Sequence, residues 1–214
     1  MENSNKPSSP VPRTPFYTFA RFLLGIFCAI FYPSREHGLE NLDREAPFLL
    51  VANHQSMMDP ILIAIRVKKW EIRFLGKDTL RKNAVVRWLV DHLHMIPVTR
   101  QATDMSAMRA CLKALQAGHV VGIFPEGTRK ETTMMEEMGS GIGLIALRSG
   151  VPVIPALIAQ KPLPFRFTDI YFGKAIDYQD LQAMGTNKES CEMLTSRIRD
   201  ITYRMKDEVK NGNV

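Results

Sequence analysis

Short apolar runs recur along the chain near 48–52, 72–75, 94–98, 120–124, 152–159 and 168–172, each ending abruptly at polar residues, glycine or proline. Runs of that length without polar alternation predict strands covered on both faces. Between them the period changes. Met105, Met108, Leu112 and Leu115 fall at helical spacing over 104–117, and the pattern stops at Gly118; the stretch 144–149 stops likewise at Gly150. Over 190–209, Cys191, Leu194, Ile198, Ile201, Met205 and Val209 share one face, which predicts an amphipathic helix covering the domain. Strands alternating with helices predict an α/β fold. The expectation is a single domain with a largely parallel central sheet flanked by helices, its ligand loops at the carboxyl ends of the strands.

The amino-terminal segment follows a different pattern. Residues 1–15 are rich in Ser, Pro and Asn, the composition of a disordered tail. From 16 to 32 the chain is strongly apolar, broken only by Arg21, and its unbroken part, 22–32, falls well short of the roughly 20 residues a membrane span requires. This predicts an apolar helix over 16–34 lying in the membrane interface, with Arg21 and Arg35 reaching the headgroups; packing on the domain is the competing expectation. The α/β domain then occupies 35–214, with no second-domain linker or internal repeat.

Charge and cysteine usage narrow the partners. A net charge of +6 suits anionic lipid headgroups or an acidic carrier protein. No nucleic-acid partner is expected, because no helix-turn-helix, aromatic RNA-binding strand or zinc finger is present. Cys28, Cys111 and Cys191 are too few and too scattered for a disulfide framework, which points to a reducing compartment. His92 and His94 alternate as on one side of a strand, but no further ligands accompany them and no metal site is expected.

Candidate chemistry begins at the end of the first apolar run. His54 follows it, and Asp59 stands before Pro60 at a predicted helix start. One tight turn between them would bring the carboxylate onto the imidazole, fixing its tautomer so that the ring acts as a general base. A lone Asp before Pro is also an ordinary helix cap, and a lone His at a strand end is often structural. A second run, 119–129, carries Glu126, Gly127 and Arg129 beyond Pro125, and Arg100 follows Ile96-Pro97-Val98-Thr99. Two arginines at strand ends would make an anion site, since guanidinium matches phosphate oxygens bidentately. The plainer alternative is a surface Glu126–Arg129 ion pair. Met57, Met58, Met134, Met135 and Met138 are candidates for an adaptable acyl groove.

Together these runs resemble the glycerolipid acyltransferase family, most closely the bacterial lysophosphatidic acid acyltransferases. The family's Asn-His, four residues, Asp block is matched by Asn53, His54 and Asp59, and its Phe-Pro-Glu-Gly-Thr-Arg block by residues 124–129. Its Gly-x-Ile-Pro-Val-x-Arg block reads His94-Met95-Ile96-Pro97-Val98-Thr99-Arg100, and its Val-Pro-Ile-Val-Pro type strand reads Val151-Pro152-Val153-Ile154-Pro155. Departures are His94 in place of a glycine and Met138-Gly139-Ser140-Gly141 in place of a Phe-Lys-x-Gly turn.

The resemblance implies transfer of a fatty acyl group from acyl carrier protein or coenzyme A to the sn-2 hydroxyl of lysophosphatidic acid. His54 would be the base and Asp59 its orienting partner. Arg129 and Arg100 would hold the acceptor phosphate with Glu126 and Gly127 shaping the loop, and Lys77 is a weaker phosphate candidate. No cofactor, metal or covalent acyl-enzyme is implied. The implied location is the cytoplasmic face of the cell membrane, peripheral or monotopic. Glycerol 3-phosphate or another lysolipid as acceptor, and a catalytically silent lipid-binding module, are the competing expectations.

Overall fold

The structure, a computed structural model, describes residues 11–98, 105–125 and 141–212. Its strands are β1 (Ser34–His37), β2 (Leu49–Ala52), β3 (Ile72–Lys77), β4 (Ile96–Val98), β5 (Val120–Ile123), β6 (Val153–Ile158) and β7 (Thr168–Phe172). They form one sheet in the order β1-β7-β6-β2-β5-β3-β4. Every neighbouring pair is parallel except β6–β7. The helices are α1 (Pro15–Phe31), α2 (Asp59–Arg66), α3 (Ala84–His92), α4 (Met105–Gln116), α5 (Gly141–Ser149), α6 (Gln179–Ala183) and α7 (Lys188–Lys210). The expected α/β domain with a mostly parallel sheet flanked by helices is thus present.

Both faces of the central strands are covered, which explains why β2 is apolar throughout. Leu49 and Val51 point into a core shared with Cys111 and Leu115 of α4, Ile145 of α5 and Leu194 of α7. Phe48, Leu50 and Ala52 point the other way, toward Cys28 of α1 and Leu62 and Ile63 of α2. The alternation is the period of two of a pleated strand. By contrast β1, Ser-Arg-Glu-His, sits at the sheet edge and buries no side chain fully, so no apolar run announced it.

The amino-terminal segment is ordered earlier than its composition predicts. The Val11 N–H donates to Gly118 O, and Pro12 bridges Trp70. Thr14 donates from both its N–H and its hydroxyl to the buried Glu71 carboxylate. Residues 11–15 of the tail expected at 1–15 are therefore held against the domain, and residues 1–10 lie outside the described residues. Thr14 also caps α1, its hydroxyl oxygen accepting from the Tyr17 N–H, and Pro15 supplies the first helical residue.

One face of α1 packs on the domain through Tyr17 and Cys28. Arg21 does not reach outward as expected. Its Nη2 donates to Ile65 O at 2.7 Å, satisfying a carbonyl in the last turn of α2 that the helix itself leaves unpaired.

His92 and His94 do not share a strand either. His92 ends α3, and His94 has φ +51 in the left-handed region. The N–H of Met95 donates to Val90 O and that of His94 to Asp91 O, the paired bonds of a Schellman helix stop. That position favours glycine, which accounts for the glycine in the pattern His94 departs from. β4 accordingly starts at Ile96 rather than at residue 94.

Candidate active site

Strand order places the site. β6, β2, β5, β3 and β4 are neighbours running in one direction, so their carboxyl ends line one edge of the sheet. The chain leaves β2 at that edge through Asn53 and turns into α2 at Asp59. His54 Nδ1 lies 2.9 Å from Asp59 Oδ2. An ionised carboxylate only accepts, so Nδ1 carries the hydrogen. The same oxygen accepts the backbone N–H groups of Gln55 at 2.5 Å and Ser56 at 2.7 Å. Three donors converging on Oδ2 offset the burial of this carboxylate, while Oδ1 has no hydrogen-bond partner among the described residues. Asp59 does not cap its own helix: Met58 is the cap residue and makes no side-chain bond.

A second set of contacts fixes the start of the turn. Asn53, itself buried, donates from Nδ2 to Ile158 O and accepts the Ile158 N–H at Oδ1, so its side-chain amide replaces a rung of the β2–β6 ladder. Gln55 Nε2 donates to the same carbonyl at 2.7 Å. The turn carrying His54 is thereby bolted to β6 on one side and to Asp59 on the other.

The imidazole is also flanked by aromatic rings. Phe124, just past β5, stacks on His54 with centroids 4.5 Å apart, and Phe74 of β3 stacks behind it at 5.6 Å. Gly122 makes room for this: a Cβ there would meet the Phe74 ring at 2.4 Å. Asn53, Gln55 and Phe124 were not assigned roles from sequence. Asn53 and Phe124 stand inside the quoted blocks, but their partners lie on other strands and no local spacing reveals them.

Lys77 ends β3 and pairs in register with Val98 of β4, at the same edge as His54. Arg100, Glu126, Gly127 and Arg129 lie outside the described residues; β4 and β5, which lead to them in sequence, both end at this edge. Met57 is exposed and Met58 packs on the α2 side of the core, while Met134, Met135 and Met138 also lie outside the described residues. Among the described residues no cluster of three or more His, Cys, Asp or Glu is placed to hold a metal ion.

Comparison with known proteins agrees with this architecture. Residues 34–159 match the family model described as Acyltransferase. The 1-acyl-sn-glycerol-3-phosphate acyltransferase of Bacillus subtilis (strain 168) is 26% identical over 140 residues, 65% of this chain and 69% of that one. The enzyme of that name from Streptococcus pneumoniae (strain ATCC BAA-255 / R6) is 26% identical over 216 residues, covering 97% and 79%. The crystal structure of the 1-acyl-sn-glycerophosphate (LPA) acyltransferase from Thermotoga maritima is similar with a TM-score of 0.68 and 25% identity, over 91% of this chain and 87% of that one. The matched span runs from β1 to the end of β6 and contains the His54–Asp59 turn; the chain belongs to the acyltransferase family and is an enzyme of acyl transfer.

Proposed function

We propose that the enzyme transfers a fatty acyl group from acyl carrier protein or coenzyme A to the sn-2 hydroxyl of lysophosphatidic acid, forming phosphatidic acid for phospholipid synthesis. The observation that carries this reading is a histidine whose Nδ1 is held by a buried aspartate at the carboxyl edge of the sheet. The similar proteins named for the same acceptor support the substrate class.

In the proposed reaction Asp59 occupies Nδ1, which leaves proton transfer to Nε2 of His54. Nε2 takes the proton of the acceptor hydroxyl as its oxygen attacks the thioester carbonyl. The C–S bond breaks, and the departing sulfur receives the proton from the imidazolium. Asp59 stabilises that imidazolium, and the Phe124 ring against it offers a π face that favours the cation. The acceptor brings its own nucleophile, so no acyl-enzyme is needed. Arg129 and Arg100, with Glu126, Gly127 and Lys77, are assigned to the acceptor phosphate.

The reaction is proposed to occur at the cytoplasmic face of the membrane, the protein being peripheral or monotopic. Among the described residues no helix is long and apolar enough to cross a bilayer. α1 instead exposes Phe19, Phe22, Leu23, Ile26, Phe27 and Ile30, spaced along one face. An apolar stripe of this kind, on a helix anchored by its other face, suits burial in one leaflet.

The test is acyl transfer by purified protein in detergent micelles, offering lysophosphatidic acid and glycerol 3-phosphate with both donors, wild type beside His54→Ala. Transfer to lysophosphatidic acid that is lost in the variant supports acceptor and base together. Transfer to glycerol 3-phosphate alone overturns the acceptor, and full activity of the variant overturns the base.

A further inference from the structure

The connection between β6 and β7 has a composition that a turn does not require. Residues 161–167 read Lys-Pro-Leu-Pro-Phe-Arg-Phe, and within them Phe165 is 71% exposed, Phe167 57% and Leu163 40%. Phe165 also adopts φ +61, a left-handed conformation strained for a bulky residue. Strain and exposed aromatic surface together mark a segment shaped for contact rather than for packing.

The loop is clamped to the end of α1. The Phe165 N–H donates to Phe31 O at 2.7 Å and the Thr168 N–H to Pro33 O at 3.0 Å. The rings continue the contact: Phe165 lies 5.5 Å from Phe31, and Phe31 lies 5.0 Å from Phe27 on the exposed stripe of α1. Two segments far apart in sequence thus present one apolar surface.

Two further features select a lipid surface with anionic headgroups. The first is the backbone. Pro162 and Pro164 carry no N–H and the N–H groups of Phe165 and Arg166 are bonded within the protein, so four of the seven loop positions bring no backbone donor that needs water. A loop tip that enters a region without water needs its donors satisfied internally. The second is charge. Lys161 and Arg166 lie in the loop, no Asp or Glu does, and the Arg35 guanidinium sits 5.0 Å over the Phe167 ring. Cationic groups bordering exposed rings match the anionic headgroup layer, with the rings below it.

We infer that the 161–167 loop is a second lipid-inserting element, which with α1 gives the enzyme a two-point footing on an anionic bilayer. The inference rests on the membrane-surface reading above. Two points of contact define an orientation, whereas a lone helix can roll about its own axis.

The experiment is partitioning of the full chain onto phosphatidylcholine vesicles doped with phosphatidylglycerol, followed by co-sedimentation. Phe165→Asp is expected to lower the partition coefficient by about tenfold or more, as expected from burial of one aromatic side chain. As an independent readout, Phe165→Trp in a Trp88→Phe background is expected to show a blue-shifted emission on vesicle addition, quenched by brominated lipid. Unchanged partitioning of Phe165→Asp together with unquenched emission, while Phe22→Asp on α1 detaches the protein, overturns the loop and leaves the helix reading standing. If neither Asp variant detaches the protein, both readings fail. A blue shift without vesicles that tracks a dimer in sedimentation velocity would assign the apolar surface to self-association and overturn the inference.

Discussion

Two histidine–carboxylate pairs stand at opposite edges of the same sheet, and their likeness is instructive. His54 meets Asp59 at 2.9 Å and His94 meets Glu71 at 2.6 Å, each through Nδ1 and each with a buried carboxylate. Asp59 gathers backbone donors of the turn at the carboxyl end of β2. Glu71 precedes β3 at the amino edge, and its second oxygen accepts both donors of Thr14, the cap of α1. Geometry of the pair alone therefore does not distinguish chemistry from architecture. Position is what assigns the proposed chemistry to the His54 pair, because the edge where parallel strands end is where ligands bind in such sheets. The Glu71 pair instead ties the amino-terminal segment and the stop of α3 to the body of the domain.

The sharpest way to break this contrast is to remove each histidine. His54→Ala is expected to reduce turnover by about a hundred- to ten-thousand-fold, the range for loss of a general base, with little change in melting temperature. His94→Ala is expected to keep near-normal turnover in micelles. Comparable losses of turnover in both variants would falsify the division of roles.

Stability gives the reverse ranking. Glu71→Ala removes the buried acceptor shared by His94 and Thr14 and should cost about 1–3 kcal/mol in urea unfolding, the scale for leaving hydrogen-bonding groups without their partner. A loss below about 1 kcal/mol would place the pair among the weak surface bridges instead.

A smaller effect is expected at the ring stack. Phe124→Leu should lower turnover by about fivefold, in line with the roughly 1 kcal/mol worth of an aromatic contact. Phe124→Tyr should restore most of it. A change confined to KM, with kcat and its pH profile intact, would remove Phe124 from the positioning of His54.

The smallest expected effect is a pH dependence at the amino edge. Burial holds the His119 imidazole below its ordinary 6.5, Arg73 and His94 add to this, and Glu71 opposes it. A depressed histidine is neutral in the fold while the unfolded chain takes up a proton, so stability is intact above 6.5 and declines as pH falls toward the folded value. His119→Leu should flatten the urea midpoint across that window. An unchanged slope would assign the acid sensitivity to other groups.

Much of the fold was legible because a sheet covered on both faces leaves its strands no polar side. The runs at 48–52, 120–124, 152–159 and 168–172 correspond to β2, β5, β6 and β7 within a residue or two. α7 was equally plain, since one face carries its whole burial. β1 was not, because an edge strand of Ser, Arg, Glu and His looks like a loop. His94 was misplaced on a strand because a left-handed helix stop leaves no trace in residue type unless the residue is glycine. Arg21 read as an outward anchor because the carbonyl it satisfies belongs to a helix more than forty residues away, Ile65 lying |i−j| = 44 from it.

The sequence by itself determined the α/β class, the strand cores and the His54–Asp59 turn, whose two members lie only |i−j| = 5 apart and meet through one local bend. Tertiary structure alone decided that Asn53 grips Ile158 across |i−j| = 105, that Phe124 roofs His54 and that the 161–167 loop closes onto Phe31. The physical reason is one of range. Periodicity and turn chemistry act between near neighbours, so they can be read in order along the chain. Contacts between elements depend on strand order and register, which emerge only when both faces of the whole sheet are covered at once.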